Sequence, residues 1–268
     1  MVDDDGVNSG KVKDIAEAVG AVCEKVPVYQ DAFQPFAKQV GKAGDTIGQT
    51  LNVCLGPLEG MLWGYGKIAK FLQKKVGEKL KDVPPENIQT PAPHIAVPAI
   101  EALRYTGHEE SLADMYVNLL ASSMNTEKAE SAHPAFVDMI KNMCPDEAKI
   151  MKLFASQRRF AIVDVHLVVQ DGYLIANRCL TLVGVHAGCE KNHMTASYVD
   201  NLNRLGLLSV DKESRLADEK LYAAIVGHPN VKYILESYDK QNSKYNVVKY
   251  QVAVTDLGGH FLKACSVE

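Results

Sequence analysis

The feature that most constrains this fold is a run of helical apolar patterns between Ser111 and Phe154. At its start, apolar residues recur at intervals of three and four, which is the spacing of one helix face. These residues are Leu112, Met115, Tyr116, Leu119 and Leu120. Ser111 and Asp114 resemble a capping box in front of this face. The polar residues 125–131 then end the pattern, so the sequence predicts a helix from Ser111 to about residue 124.

Two further helices are predicted in the same run. Pro134 and Pro145 suit the first turn of a helix, where the missing N–H is not needed. Asp146 and Glu147 follow Pro145, at the helix end where negative charge is favoured. Leu119 and Phe136 are expected to be buried.

These residues also carry a resemblance to a known family. The segments NLLASSM (118–124) and HPAFVDMIKNMCPDEAKIMKLF (133–154) are similar to the core of the abortive-infection alpha (Abi-alpha) family, a bacterial domain. The resemblance extends upstream through VYQDAFQPFAKQVG and downstream to TDLGGHFLKAC. It implies the family's fold and a role in antiviral defence, but no catalytic residues. One departure is Cys144, where the family tends to have a small polar N-cap residue such as serine.

Composition limits the classes of function. The 268 residues carry a net charge of −4, which argues against nonspecific binding of the whole molecule to nucleic acid or to an anionic membrane. The six cysteines have no paired spacing, and the acidic start of the chain is unlike a secretory signal, so we expect free thiols and a cytoplasmic protein. The sequence has no run of about 20 apolar residues, so a conventional membrane-spanning helix is not expected.

A stripe of glycines comes before the core run. Gly56, Gly60 and Gly64 are four residues apart in a nearly uncharged segment, a spacing that lets two helix backbones approach closely. The next segment, 67–81, has six lysines against Glu78, a net charge of +5. Those expected to contact an anionic surface are Lys67, Lys70, Lys74, Lys75 and Lys79. Such a helix suits an anionic membrane, but packing of the stripe inside the protein or a homo-oligomer is the favoured interpretation.

The C-terminal part has a different character. A proline-rich connector is predicted over 82–98 and a strand over 160–169, whereas 173–185 reads as either a strand or a helix. A helix over 195–205 ends at Gly206 and is followed by short strands at 207–210 and 246–255, with a charged loop between them. Residues 257–265 close the chain as a short helix or turn. This order resembles a winged-helix unit, although residues 212–245 are longer than an ordinary wing.

Candidate sites in this part are weak. A winged helix that binds DNA would use Asn201, Asn203 and Arg204, but Asp200 offsets the charge and nucleic acid is not the expected partner. Four potential zinc ligands lack the spacing of a closed site, so no metal is expected. They are Cys179, His186, Cys189 and His193. No nucleophile elbow or phosphate-binding loop is present, so no cofactor is expected and a hydrolase is the weakest hypothesis.

The sequence therefore predicts a mainly α protein with a mixed α/β C-terminal part. Residues 1–10 form a disordered tail, 11–155 a helical bundle and 156–268 a winged-helix-like domain. By resemblance it is a non-enzymatic effector or interaction protein of abortive infection. Its helical half acts on a protein partner, a phage component or the inner surface of the membrane. The alternative is a DNA-binding regulator that uses the C-terminal domain.

Overall fold

The computed structural model describes residues 65–266, and these residues form two compact units. Residues 65–142 and 263–266 form a helical unit, and 143–262 form a unit built on a β-sheet. The predicted tail, the helices expected before residue 65 and the glycine stripe of Gly56, Gly60 and Gly64 lie outside the described residues.

The helical unit is organised around one central helix. Its helices are α1 (Tyr65–Leu80), α2 (Pro93–Thr106), α3 (Glu110–Met124) and α4 (Ala135–Lys141). Helices α1, α2 and α4 all pack on α3, and 12 of the 15 residues of α3 are buried. Leu119 and Phe136 are fully buried, which confirms the predicted core of this region.

Two details of this unit differ from the sequence prediction. Helix α2 begins at Pro93 and contains Pro98, so the extended connector ends well before residue 98. Proline is tolerated at the first turn, and burial of Ile95, Ala99 and Leu103 holds the helix together beyond it. In α3 the N-cap is Glu109, so Ser111 lies inside the helix instead of capping it.

The second unit contains a four-stranded antiparallel sheet in the order β2-β1-β4-β3. Its strands are β1 (Arg159–Val169), β2 (Gly172–Leu180), β3 (Leu208–Asp211) and β4 (Tyr245–Val254). Its helices are α5 (Pro145–Ser156), α6 (Val183–His186), α7 (Thr195–Arg204), α8 (Glu219–Gly227), α9 (Pro229–Lys240) and α10 (Asp256–Cys265). The last three residues of α10 belong to the helical unit.

Strand β1 is the centre of this unit because residues 160–165 are buried on both sides of the sheet. Ala161, Val163 and Val165 share a core with apolar residues of α8 and α9, such as Tyr222 and Leu235. The pairing of β1 with β2 shifts register twice near Val165, so that β2 has extra residues opposite β1. Such bulges redirect side chains locally, and Cys179 in this region has a φ of 56°.

The mixed α/β character of the C-terminal part is confirmed, and so are the strands expected near 160–169, 207–210 and 246–255. Gly206 has a φ of 74° at the end of α7, as expected of a C-cap glycine. The prediction of a charged loop between the last two strands is wrong, because residues 212–244 contain α8 and α9. Strands β3 and β4 do pair, with Leu208 opposite Val254, but two helices separate them in sequence.

Candidate functional sites

Helix α1 has one buried apolar face and one exposed basic face. Its buried residues are Ile68, Leu72, Val76 and Leu80. Lys70, Lys74 and Lys79 are exposed, while the Lys75 ammonium lies 3.6 Å from the Asp114 carboxylate on α3. Lys67 lies in the first turn of the helix. Because α1 packs on α3 through its apolar face, its basic face is the one available to a partner.

Within residues 65–266, no helix is both long enough and apolar enough to cross a membrane.

The central helix α3 carries two buried polar side chains that donate hydrogen bonds to the last turn of α10. The Asn118 amide donates a hydrogen bond of 3.1 Å to the carbonyl of Cys265, and the Ser122 hydroxyl donates one of 2.9 Å to the carbonyl of Ala264. The last carbonyls of a helix have no partner within the helix. Asn118 and Ser122 therefore complete the C-terminal end of α10.

A second buried polar cluster surrounds Asp146 at the start of α5. Its carboxylate accepts hydrogen bonds from the backbone amides of Glu190 and Lys191, both at 3.0 Å, from the Tyr198 hydroxyl at 3.2 Å and from the Lys149 ammonium at 3.1 Å. Burial by itself raises the pKa of Asp146, but these hydrogen bonds outweigh it and hold the pKa at about 2. The charged carboxylate thus fixes the loop before α7.

The neighbouring Glu147 joins α5 to α7. Its carboxylate accepts a hydrogen bond of 2.8 Å from the Cys144 amide, so Cys144 does serve as the N-cap residue of α5. It also accepts one of 2.9 Å from the Asn201 amide group. These bonds place α5 in the sheet-containing unit, whereas the sequence prediction assigned residues up to 155 to the helical domain.

The three residues proposed to contact nucleic acid differ in their surroundings. The Asn201 carbonyl oxygen accepts hydrogen bonds from Arg204 at 3.0 and 2.7 Å, in addition to the contact of its amide with Glu147. Asn203 is exposed. Asp200, on the same helix, forms an ion pair with Arg178 of β2. Asn201 and Arg204 are therefore already engaged in contacts within the protein.

A third polar cluster, which was not predicted from the sequence, is centred on Asp164 in the middle of β1. One carboxylate oxygen of this buried residue accepts hydrogen bonds from the Cys179 backbone amide, at 2.7 Å, and from the Tyr250 hydroxyl. The other lies 3.3 Å from the Lys212 ammonium and 3.9 Å from His166 Nε2. Because β1 lies between β2 and β4, the sheet brings these groups together.

Each carboxylate oxygen of Asp164 has at least one hydrogen-bond donor beside it. Burial and the hydrogen bond to Asp164 raise the pKa of Tyr250, so the hydroxyl stays protonated and donates. Burial raises the pKa of Cys179 to about 12, so its thiol is not a ready nucleophile. The carboxylate is thus surrounded by donors, which is how a buried charge is accommodated.

The cysteine and histidine residues weighed as zinc ligands do not form a metal site. No group of three or more potential ligands within residues 65–266 is close enough to hold a metal ion. Cys179 contacts the Asp164 cluster, whereas the Cys189 thiol lies 3.6 Å from the carbonyl oxygen of Asp146. Burial raises the pKa of Cys189 to about 11.

The chain is thus a mixed α/β protein in which a helical unit accompanies an antiparallel sheet and buried polar clusters support the fold. The family model for abortive infection alpha matches residues 65–265. The chain therefore belongs to the abortive infection alpha family, as the resemblance predicted. No curated protein and no solved structure matches the chain.

Membership of this family gives the protein an abortive-infection-related role. The residues that carried the resemblance include Asn118, Ser122, Asp146 and Glu147, all of them buried and hydrogen-bonded. In this chain these residues therefore support the fold.

Proposed function

We propose that this protein is a non-enzymatic effector of abortive infection that binds an acidic protein partner, of the host or of the phage, through the basic face of α1. The proposal places this action in the cytoplasm. The observation that carries it is the exposure of Lys70, Lys74 and Lys79 on a helix whose opposite face is buried.

Charge is the property that selects such a partner. The segment 67–81 has six lysines and one glutamate, a net of +5, in a chain whose net charge is −4. A local basic surface on an acidic protein attracts an acidic partner and accelerates its association. The attraction weakens as salt increases, because exposed charges are screened over about 10 Å at 0.1 M ionic strength.

The surroundings of α1 favour a protein partner over a lipid surface. An amphipathic helix that lies on a membrane inserts its apolar face among the lipids, but Ile68, Leu72, Val76 and Leu80 are buried in the helical unit. Membrane binding through α1 would require the helix to leave α3. Binding of an acidic protein to the lysines requires no such change.

The proposal is tested by charge reversal in cells. Lys70→Glu, Lys74→Glu and Lys79→Glu together are expected to reduce protection against phage at least tenfold in plaque counts, because all three side chains are exposed. The matched control reverses three exposed lysines of the other unit, Lys152, Lys220 and Lys244, and is expected to retain protection. Full protection by the first variant, at equal protein level, would overturn the proposal.

Three defined probes separate the alternatives with purified protein. We expect binding to an acidic polypeptide such as polyglutamate that falls with added salt and with the α1 substitutions. Binding to anionic vesicles but not to polyglutamate would support action on the membrane instead. Binding to duplex DNA that requires Asn203 and Arg204 would support the winged-helix regulator.

A further inference from the structure

The four-stranded sheet has one face covered by helices and one face that is open near the β1–β2 hairpin. On the covered face, Ala161, Val163 and Val165 of β1 pack with apolar residues of α8 and α9. Successive side chains of a strand point to opposite faces, and β1 pairs regularly with β4 from Arg159 to Leu167. His166 and Val168 therefore lie on the other face.

The strand register places further residues on the same face, because residues directly opposite each other in antiparallel strands have neighbouring side chains. Ile175 of β2 and Asn246 of β4 lie opposite His166. Tyr173 lies opposite Val168, and Val248 lies opposite Asp164. We refer to six of these residues as the open sheet face: His166, Val168, Tyr173, Ile175, Asn246 and Val248.

The open sheet face presents a stacked aromatic pair. The rings of His166 and Tyr173 are nearly parallel, with centroids 4.5 Å apart and an angle of 9° between their planes. His166 thus covers one side of the Tyr173 ring, while Tyr173 is 61% exposed, so the other side is open. A tyrosine ring held in this way can stack a flat ligand, as proteins do with unpaired bases.

Lysine ammonium groups flank this aromatic pair. The Val168 amide donates a hydrogen bond of 2.9 Å to the Lys244 carbonyl, so the register of β4 continues to Lys244, which lies opposite Val168 and is exposed. Beside Asp164, the Lys212 side chain is 56% exposed. Asp164 itself is buried and already accepts hydrogen bonds. The two ammonium groups reach solvent and complement phosphate.

The apolar area of the open sheet face suits a small ligand better than a second protein surface. Besides Tyr173, its exposed apolar residues are Ile175 at 48%, Val168 at 46% and Val248 at 37%. These fractions amount to roughly 300 Å² of surface, whereas a specific protein interface buries about 800 Å² per partner. Two or three nucleotides of a flexible strand would cover such an area.

We propose that the open sheet face binds single-stranded nucleic acid. One base stacks on Tyr173, the next lies against Ile175, and backbone phosphates contact Lys244 and Lys212. The Asn246 amide can exchange hydrogen bonds with a base edge. A duplex does not fit, because its bases are stacked on one another. This site is separate from α1, and the proposed function does not depend on it.

The first test measures binding of the full-length chain to labelled oligouridine and oligothymidine of about eight nucleotides, by fluorescence anisotropy. We expect saturable binding that weakens with added salt and is at least tenfold weaker for a duplex of the same length. Tyr173→Ala is expected to raise the dissociation constant about tenfold, because a stacking surface is lost. Tyr173→Phe keeps the ring and is expected to stay within about twofold of wild type.

Two controls locate the site. Tyr233→Ala on α9 removes a tyrosine that is 73% exposed outside the open sheet face, and binding is expected to be unchanged. The charge reversal at Lys70, Lys74 and Lys79 is also expected to retain binding, because α1 belongs to the other unit. Lys244→Ala is expected to weaken binding and to reduce its salt dependence by about one phosphate contact.

Several results would overturn the proposal. One is a wild-type chain that binds neither oligomer. A second is binding that Tyr173→Ala leaves intact or that the α1 reversal abolishes, since the strand would then lie on α1. A third is equal affinity for the duplex. Competition by uridine monophosphate at the same nucleotide concentration would assign the open sheet face to free nucleotides instead.

Discussion

At the scale of single residues, the charge on Asp146 contributes directly to stability. Its side chain is 7% exposed and accepts four hydrogen bonds. Asp146→Asn removes the charge and turns an NH2 group toward two of the four donors, because each carboxylate oxygen accepts two hydrogen bonds. We expect a loss of about 2–3 kcal/mol in the free energy of unfolding, as is typical when charged hydrogen bonds are broken. Urea denaturation of the purified protein measures this loss.

The neighbouring Glu190 provides the control for this prediction. Its carboxylate lies 3.3 Å from the same Lys149 ammonium, but its side chain is 81% exposed. Exposed ion pairs contribute little, so Glu190→Gln is expected to cost less than about 0.5 kcal/mol. Equal losses for the two variants would show that burial does not increase the contribution of the Asp146 hydrogen bonds to the free energy of unfolding.

The same residue makes stability depend on pH. The pKa of Asp146 is about 2 in the folded protein, against about 3.9 for an aspartate in an unfolded chain. Since the folded-state pKa is the lower one, the stabilisation is complete above about pH 5 and is lost as the pH falls toward 2. A pKa difference of this size corresponds to about 2–3 kcal/mol. The difference in stability between wild type and Asp146→Asn should shrink over the same range.

At the scale of whole elements, the end of α10 depends on polar residues of α3. Ser122→Ala removes the hydrogen bond to Ala264 and leaves a buried carbonyl without that donor. We expect a loss of about 1 kcal/mol and faster amide exchange at residues 263–265. Native-state hydrogen exchange followed by mass spectrometry measures both changes.

Ser123 is the matched control because it is also buried on α3, one residue further on. Its hydroxyl donates to Leu120 of its own helix at 2.7 Å, not to α10. Ser123→Ala should therefore leave exchange at residues 263–265 unchanged. If both variants accelerated exchange equally, the effect would belong to α3 as a whole and not to the contact with Ala264.

Much of the architecture follows from patterns within single elements. Helix α3 and strand β1 were predictable because an apolar face and a β-branched run are local properties. Helices α8 and α9 were not, because each is short and buries only two residues, such as Tyr222 in α8 and Leu235 in α9. Their helical pattern is consequently obscured, and tertiary packing on β1 supplies what the local pattern lacks.

The polar clusters show where sequence patterns fall short. Asp164 did give a signal, since it is a lone charge in the apolar run FAIVDVHLVV. Its partners could not be predicted, because Cys179, Lys212 and Tyr250 come from distant parts of the chain. They meet only through the strand order and the shift of register between β1 and β2. The basic face of α1, by contrast, depends on spacing alone and was visible in the sequence.

At the scale of the whole molecule, the distinction between an interaction protein and an enzyme can be tested at Asp164. Like the Asp146 cluster, its cluster brings a carboxylate, a tyrosine hydroxyl and an ammonium group together, as a reaction centre does. Asp164→Asn keeps the oxygen that accepts from both Cys179 and Tyr250. It changes only the oxygen that faces Lys212 and His166. The Lys212 side chain is 56% exposed and can turn to solvent.

This substitution therefore removes the carboxylate's acid–base capacity while keeping its two buried donors satisfied. If the protein acts by binding, Asp164→Asn should retain protection against phage, within about threefold, whenever circular dichroism shows it to be folded. The charge reversal at Lys70, Lys74 and Lys79 should reduce protection at least tenfold in an equally folded protein. The opposite pattern is loss of protection in Asp164→Asn and full protection after the lysine reversal. It would identify the Asp164 cluster as a reaction centre, because general acid–base groups contribute about 10²–10⁴-fold to a rate.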